Sequence, residues 1–263
     1  MSGAAALEAH VVCATEQPAT GPWQANVARH FQRAAMSYAD TSALQQASAQ
    51  DFFACTQARG LVLELGAGHG AIAQLISECT AVSTVLALDI SEAMLRQAPI
   101  GPKVQRVVGS ALAIPLRDQC VDTVMSHFAL HWCLSPRAVA AELRRVVRAQ
   151  GHAQLAIPLA GSLAPLHGDG GDGALLLPLA QWQAAFAQDW QLEASDVKTY
   201  TRHFTSARDW LAYLRAMGVT ATPQAAPASR RHVRELLAGI EQAAEPAGIP
   251  FTFQVWHARL RAV

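Results

Sequence analysis

The sequence predicts an α/β fold built on a doubly wound, mostly parallel sheet. Three observations carry that expectation. Short apolar runs alternate with helical patterns from residue 60 to residue 157, and the first run ends in a glycine-rich turn. At 263 residues the chain is also long enough to bury one large core. Charged residues make up 15% and hydrophobic ones 51%, the balance of a folded chain rather than a disordered one.

The elements follow in order. The first 21 residues carry no strong period and read as a loose arm. Trp23 to Tyr38 places Val27, Phe31, Ala34 and Ala35 at helical spacing, and a second helix is expected from Ala43 to Thr56. Gly60 to Leu65 is a short apolar run, the mark of a buried parallel strand. Helices are expected at Ala71–Glu78 and Glu92–Gln97, with strands at Ser83–Leu88, Val104–Val108 and Val121–Ser126. Pro136 to Arg148 reads as a helix with proline near its start and Gly151 just beyond its end, followed by a strand at His152–Ile157. The Gly- and Asp-rich stretch 161–173 reads as a loop. Beyond it, helices are expected at Leu179–Asp189, Ala207–Met217 and Ser229–Ala243, and strands at Val197–Phe204 and Phe251–His257. The division is one domain over 1–263. Within it, 1–57 is arm and helices, 58–160 the core, 161–195 a lid insertion and 196–263 the completion of the sheet.

Composition narrows the function classes. Twenty basic residues balance 20 acidic ones, and zero net charge argues against a protein whose main task is to hold nucleic acid. No apolar run reaches the roughly 18 residues a membrane helix needs, and the N-terminus lacks the order of a signal peptide. The five cysteines, Cys13, Cys55, Cys79, Cys120 and Cys133, are widely spaced and form no metal-ligand pattern. Neither a disulfide framework nor a metal is expected, and a reducing cytoplasm is the expected location.

The chemistry is concentrated at Glu64-Leu65-Gly66-Ala67-Gly68-His69-Gly70, where the first strand meets its helix. Glycines there let a ligand approach the backbone, and ligands in such sheets bind beyond the carboxyl ends of the strands. Gly66, Gly68 and Ala71 also satisfy a loose dinucleotide pattern, but Glu64 at the strand end would repel a pyrophosphate and attract a cation. Asp89 closes the second strand, where a carboxylate can accept both hydroxyls of a ribose. This pair of acidic strand ends around GxGxG resembles the class I S-adenosylmethionine-dependent methyltransferases. Gly109-Ser110-Ala111 is similar to that family's G-D-A segment, with Ser110 where an acid is usual.

The flanks resemble a narrower group. Phe31-Gln32-Arg33-Ala34-Ala35-Met36-Ser37-Tyr38 with Leu44-Gln45 is similar to the N-terminal signature of the malonyl-[acyl-carrier-protein] O-methyltransferases of biotin synthesis. The stretches 126–132, 161–167, 214–218 and 250–253 point the same way. The resemblance implies a Rossmann-like, seven-stranded sheet with N-terminal helices and a helical lid. It also implies S-adenosyl-L-methionine as cofactor, held by Tyr38, Glu64, Gly66, Ala67, Gly68, Asp89, Ile90, Met94, Ser110, Ala111 and His127. The implied reaction esterifies the free carboxylate of a malonyl thioester on acyl carrier protein or coenzyme A. That carboxylate is ionised at neutral pH, so no general base is needed.

Tyr38, as a site residue or as a packing tyrosine, and Arg215, as a substrate-positioning or a solvated arginine, are the candidates outside the core. Arg215 would hold the malonyl carboxylate or the carrier's phosphate, since its planar fork binds either. His69, His127 and His131 read as lining or packing residues rather than catalysts. Arg230, Arg231 and Arg234 open a late helix and offer a basic face to an acidic carrier protein. Two other readings remain: a methyltransferase for another small-molecule or quinone-pathway acceptor, and a cofactor-binding module without catalysis.

Overall fold

The computed structural model describes residues 21–34, 43–98, 101–163, 176–216 and 230–263. Its centre is a seven-stranded sheet of order β3-β2-β1-β4-β5-β7-β6. The strands are β1 (Gly60–Leu65), β2 (Val82–Asp89), β3 (Val104–Val108), β4 (Val121–His127), β5 (Val147–Pro158), β6 (Trp190–Phe204) and β7 (Ile249–Ala262). The first five pair in parallel, and β7 runs antiparallel between β5 and β6. The strand order reverses at β1, so the crevice of the sheet opens at the ends of β1 and β4.

The helices are α1 (Pro22–Ala34), α2 (Ala43–Ala54), α3 (Ala71–Glu78), α4 (Glu92–Leu95), α5 (Pro136–Val146), α6 (Leu179–Phe186), α7 (Ala207–Ala216) and α8 (Arg230–Gln242). Successive strand side chains alternate between two faces, and the core divides accordingly. Leu61, Leu63 and Leu65 of β1 pack with α5 and α6, whereas Val62 packs on the face covered by α2, α3 and α7. Ser135 caps α5 by accepting the Ala138 N–H at 3.3 Å, and Pro136 follows as the first helical residue.

Several boundaries differ from the expectation. α5 stops at Val146, and the chain enters β5 at Val147 instead of running helical to Arg148. Gly151 lies inside β5: pairing jumps from Val121–Val147 to Thr123–His152, and Gln150 takes a φ of 62° in the intervening bulge. β6 begins at Trp190 and not Val197, because its first half is polar and exposed and carries no apolar run. It therefore crosses the expected division at residue 195. Within the stretch assigned to a lid, α6 is a core helix with Trp182 and Phe186 buried, while 164–175 lie outside the described residues. Cys55, Cys79, Cys120 and Cys133 are all free thiols.

Candidate active site

The period of two places the polar strand ends together. Glu64 shares a sheet face with Val62, Asp89 with Val85 and Ala87, and His127 with Met125, all on the face covered by α2 and α3. Between β1 and α3 the chain turns through Gly66 and Gly68 at φ 73° and 55°, a region glycine adopts without strain. A Cβ at Gly66 would stand 2.1 Å from the Ala129 side chain, so the turn and the segment after β4 touch backbone to side chain. Gly66 and Ala67 donate to the Leu88 carbonyl at 2.8 and 3.0 Å, and Gly68 donates to Asp89 Oδ2 at 2.9 Å. The turn is thus tied to the end of β2.

A cavity of about 220 Å³ opens over these ends. Its walls include Glu64, Gly66, Ala67, Gly68, Asp89, Ile90, Met94, Ser110, Ala111 and His127, all expected site residues. No lysine or arginine stands among its described lining residues, although two carboxyls do. Glu64 is buried; it accepts a bond from the Ala73 N–H at the start of α3, while its Oε2 has no partner among the described residues. Burial first, and the neighbouring Asp89 second, push its carboxyl up to about 8. Asp89 is raised too, by burial, against the Ser91, Gly68 and Ile90 N–H groups that favour its charge. The carboxylate still has lone-pair capacity beyond these bonds. A site with two acids and no lysine or arginine in its described lining fits a cationic ligand and opposes a phosphate, which argues against the dinucleotide alternative.

Ser110 Oγ accepts from Gln24 Nε2 and from the Leu112 N–H, both at 3.2 Å. Its own proton is what remains for a ligand, so it offers a donor where an acceptor was expected. His127 and His131 are held neutral, both down to about 3, chiefly by burial. His69 lines the cavity, and burial lowers its pKa as well. Arg215 is exposed on α7 and is not among the lining residues, so the structure does not bring it to the cavity. Tyr38 lies outside the described residues. Arg230, Arg231 and Arg234 do open α8, and Arg234 is exposed; the side chains of the other two are not described.

Sequence reading missed the roof. Gln24, Val27 and Phe31 of α1 and Gln45, Gln46 and Ala49 of α2 line the cavity. Their signals were helical period beside the core and, for Phe31 and Gln45, the N-terminal signature. Trp132 lines it as well; Trp23 Nε1 donates to its carbonyl at 2.9 Å, and Phe31 meets its ring edge-on at 5.3 Å.

Residues 63–155, which span the glycine turn, both acids and His127, match the family model described as "Methyltransferase domain". That segment of the chain is therefore similar to a methyltransferase core. Such a core takes S-adenosylmethionine, and the acidic, base-free cavity suits that ligand's two cationic centres. A malonyl-[acyl-carrier protein] O-methyltransferase of Pseudescherichia vulneris is 36% identical over 144 residues, 54% of this chain and 57% of that protein. One of Alcanivorax borkumensis is 34% identical over 158 residues, 57% of this chain and 54% of that protein. The match spans about half the length of these curated relatives. Among solved structures, geranyl diphosphate C-methyltransferase from Streptomyces coelicolor A3(2), in complex with S-adenosyl-L-homocysteine, superimposes with a TM-score of 0.59. It is 13% identical, with 94% of this chain and 100% of that chain covered. A putative methyltransferase from Bacillus halodurans gives 0.58 at 17% identity, over 84% and 98% of the two chains. These likenesses establish that the methyltransferase core shares their fold. Among the described residues no helix is long and apolar enough to cross a membrane, and no cluster of metal ligands occurs.

Proposed function

We propose that the protein transfers a methyl group from S-adenosylmethionine to the free carboxylate of a malonyl thioester carried by acyl carrier protein, an early step of biotin synthesis. The observation that carries the cofactor half is the buried Glu64 and Asp89 pair, facing a cavity whose described lining carries no lysine or arginine. The acceptor half rests on the names of the curated relatives and on the flanking motifs. Bound, the cofactor supplies an electrophilic methyl group, which one carboxylate oxygen takes as the carbon–sulfur bond breaks. Glu64 would meet the cationic end, its proton passing to solvent as that charge arrives. Asp89 accepts the ribose hydroxyls with the lone pairs that its backbone bonds leave open. Ala67, Ile90, Met94 and Ala111 would wall the cofactor without charge, and Tyr38 is assigned to it on the resemblance alone.

No residue has to remove a proton, since the acceptor is already an anion. The chain's contribution is to exclude water and hold the reacting atoms in line, which supplies roughly 7 kcal/mol or more. Arg215, being exposed, is assigned to the carrier's phosphate outside the cavity, and Arg230, Arg231 and Arg234 to the acidic carrier itself. The test is transfer of labelled methyl to malonyl carrier protein, malonyl-coenzyme A and short dicarboxylates in parallel. Transfer to the thioesters is expected. Cofactor binding with no transfer to any carboxylate would make the protein a binding module, and transfer to an unrelated acceptor alone would move it to another branch of the fold.

A further inference from the structure

Beneath α2 a line of polar side chains runs from the cavity wall to the protein surface. His127 Nε2 stands 3.1 Å from Ser48 Oγ, and Ser48 Oγ stands 3.5 Å from His257 Nε2. Tyr200 Oη lies 3.0 Å from the same His257 nitrogen and 2.7 Å from Asp51 Oδ2. Asp51 Oδ1 pairs with Lys198 Nζ at 3.0 Å. Five elements contribute: α2, β4, β6 and β7 directly, and β5 through Gln154, which donates to the Phe52 carbonyl of α2.

The direction of this chain can be deduced. Tyr200 has one proton, and it goes to Asp51, an ionised acceptor whose pKa is lowered chiefly by that bond. Toward His257, therefore, Tyr200 accepts, and His257 carries its proton on Nε2. Ser48 meets a nitrogen that is already a donor; the Tyr200 hydroxyl is also within its reach but already accepts from His257, so we assign the Ser48 proton to His127 Nε2 at 3.1 Å. A neutral imidazole that accepts at Nε2 is protonated at Nδ1. Among the described residues nothing hydrogen-bonds that Nδ1, and His127 lines the cavity.

Sheet order places this donor. Asp89 and Ser110 follow β2 and β3 on one side of β1, and His127 ends β4 on the other. The two flanks of the cavity therefore differ in chemistry: carboxylate on one, a neutral N–H on the other.

We propose that His127 belongs to the acceptor side, where its Nδ1–H orients one oxygen of the acceptor carboxylate while the other attacks, with Ser48, His257 and Tyr200 acting as positioning residues that fix its tautomer. This rests on the carboxylate-acceptor reading above. A neutral donor aligns the nucleophile without quenching its charge, as a close arginine would. It also places no positive charge beside a cationic cofactor.

Two measurements test it. In the ligand-free protein, nitrogen-15 shifts should show His127 as the Nδ1–H tautomer, and Ser48→Ala should let the Nε2–H form appear. A wild-type ring protonated at Nε2 overturns the proposal. With S-adenosylmethionine and malonyl carrier protein, His127→Phe should lower kcat/KM by about tenfold or more, the loss of one hydrogen bond to a charged group. Cofactor affinity measured by calorimetry should stay within about twofold. His127→Asn, whose amide N–H can stand near the Nδ1 position, should recover part of the loss, and His127→Gln should recover less. A Phe variant with normal kcat/KM, or one that loses cofactor affinity in proportion, overturns the role assigned to His127 and leaves the acceptor reading standing. Absence of transfer by the wild-type protein to either malonyl thioester would sink the acceptor reading, and this proposal with it.

Discussion

At the carboxyl ends of the strands Glu64 keeps one oxygen without a partner among the described residues, and Asp89 is raised by burial despite its backbone bonds. At the amino ends the charges are matched. Arg145 binds Glu142 and Asp118, each at 2.7 Å, and also the carbonyls of Leu116 and Ile114 at 2.8 Å. Arg148 pairs with Asp122, whose Oδ2 also accepts the Leu61 N–H at 2.8 Å. Arg259 and Arg261 share Glu193 at 3.2 Å. One sheet thus carries two sets of charges in opposite states. Satisfied charges hold loops to strands, and unsatisfied ones wait for a ligand. Arg145 of α5 and Arg148 of β5 are thus occupied within the fold.

The contrast can be broken from either end. Asp89→Ala should weaken S-adenosylmethionine binding by about 1.5–3 kcal/mol, roughly 10- to 150-fold, through loss of a charged acceptor. Calorimetry checks this, and unchanged affinity would remove Asp89 from the site. Arg145→Met should cost about 1–3 kcal/mol in urea unfolding, because Glu142 and two carbonyls lose their donor. Cofactor affinity should not change; a parallel loss would mean that the two ends are coupled.

Glu64→Gln sharpens the comparison through pH. The folded carboxyl, at about 8, lies above its ordinary value near 4.5. The stability that its proton confers is complete below pH 4.5 and is lost as the pH rises toward 8. The ligand-free Gln variant should therefore match the wild type near pH 4.5 and melt higher by pH 8, by roughly 2–4 °C for each kcal/mol relieved. In the wild type alone, cofactor affinity should climb over the same window as the proton is displaced. A pH-independent difference in melting would show that Glu64 is already ionised in the empty site. The smallest effect is expected at the surface. Replacing Arg230, Arg231 and Arg234 by Ala should raise KM for malonyl carrier protein a few-fold, less for malonyl-coenzyme A, with the carrier reaction more salt-sensitive. Equal changes for both substrates would leave the carrier's footprint elsewhere.

The acidic end was legible because strand, turn and helix are adjacent in the chain, so Glu64, Gly66, Gly68 and Asp89 announce themselves by spacing. β1, α3 and β3 have the bounds expected, each being a compact run of one period. The relay from Ser48 to His257 was not legible. Its members come from elements brought together only by strand order, and each looks like an ordinary polar residue in its own segment. Arg215 could not be placed from its local motif: in the structure it is exposed on α7, none of whose described residues lines the cavity. The first half of β6 was hidden by its polarity.

That polarity has a consequence during synthesis. Among the described strands β6 pairs with β7 alone, and β7 follows only after residues 205–248 have been made. At about 5–20 residues per second, β6 emerges from the ribosome some seconds before its partner exists. A long apolar edge would spend that interval as a template for neighbouring nascent chains. Glu193, Asp196, Lys198 and Arg202 along the strand make it a poor one, so the delay between synthesis of the two strands need not become aggregation.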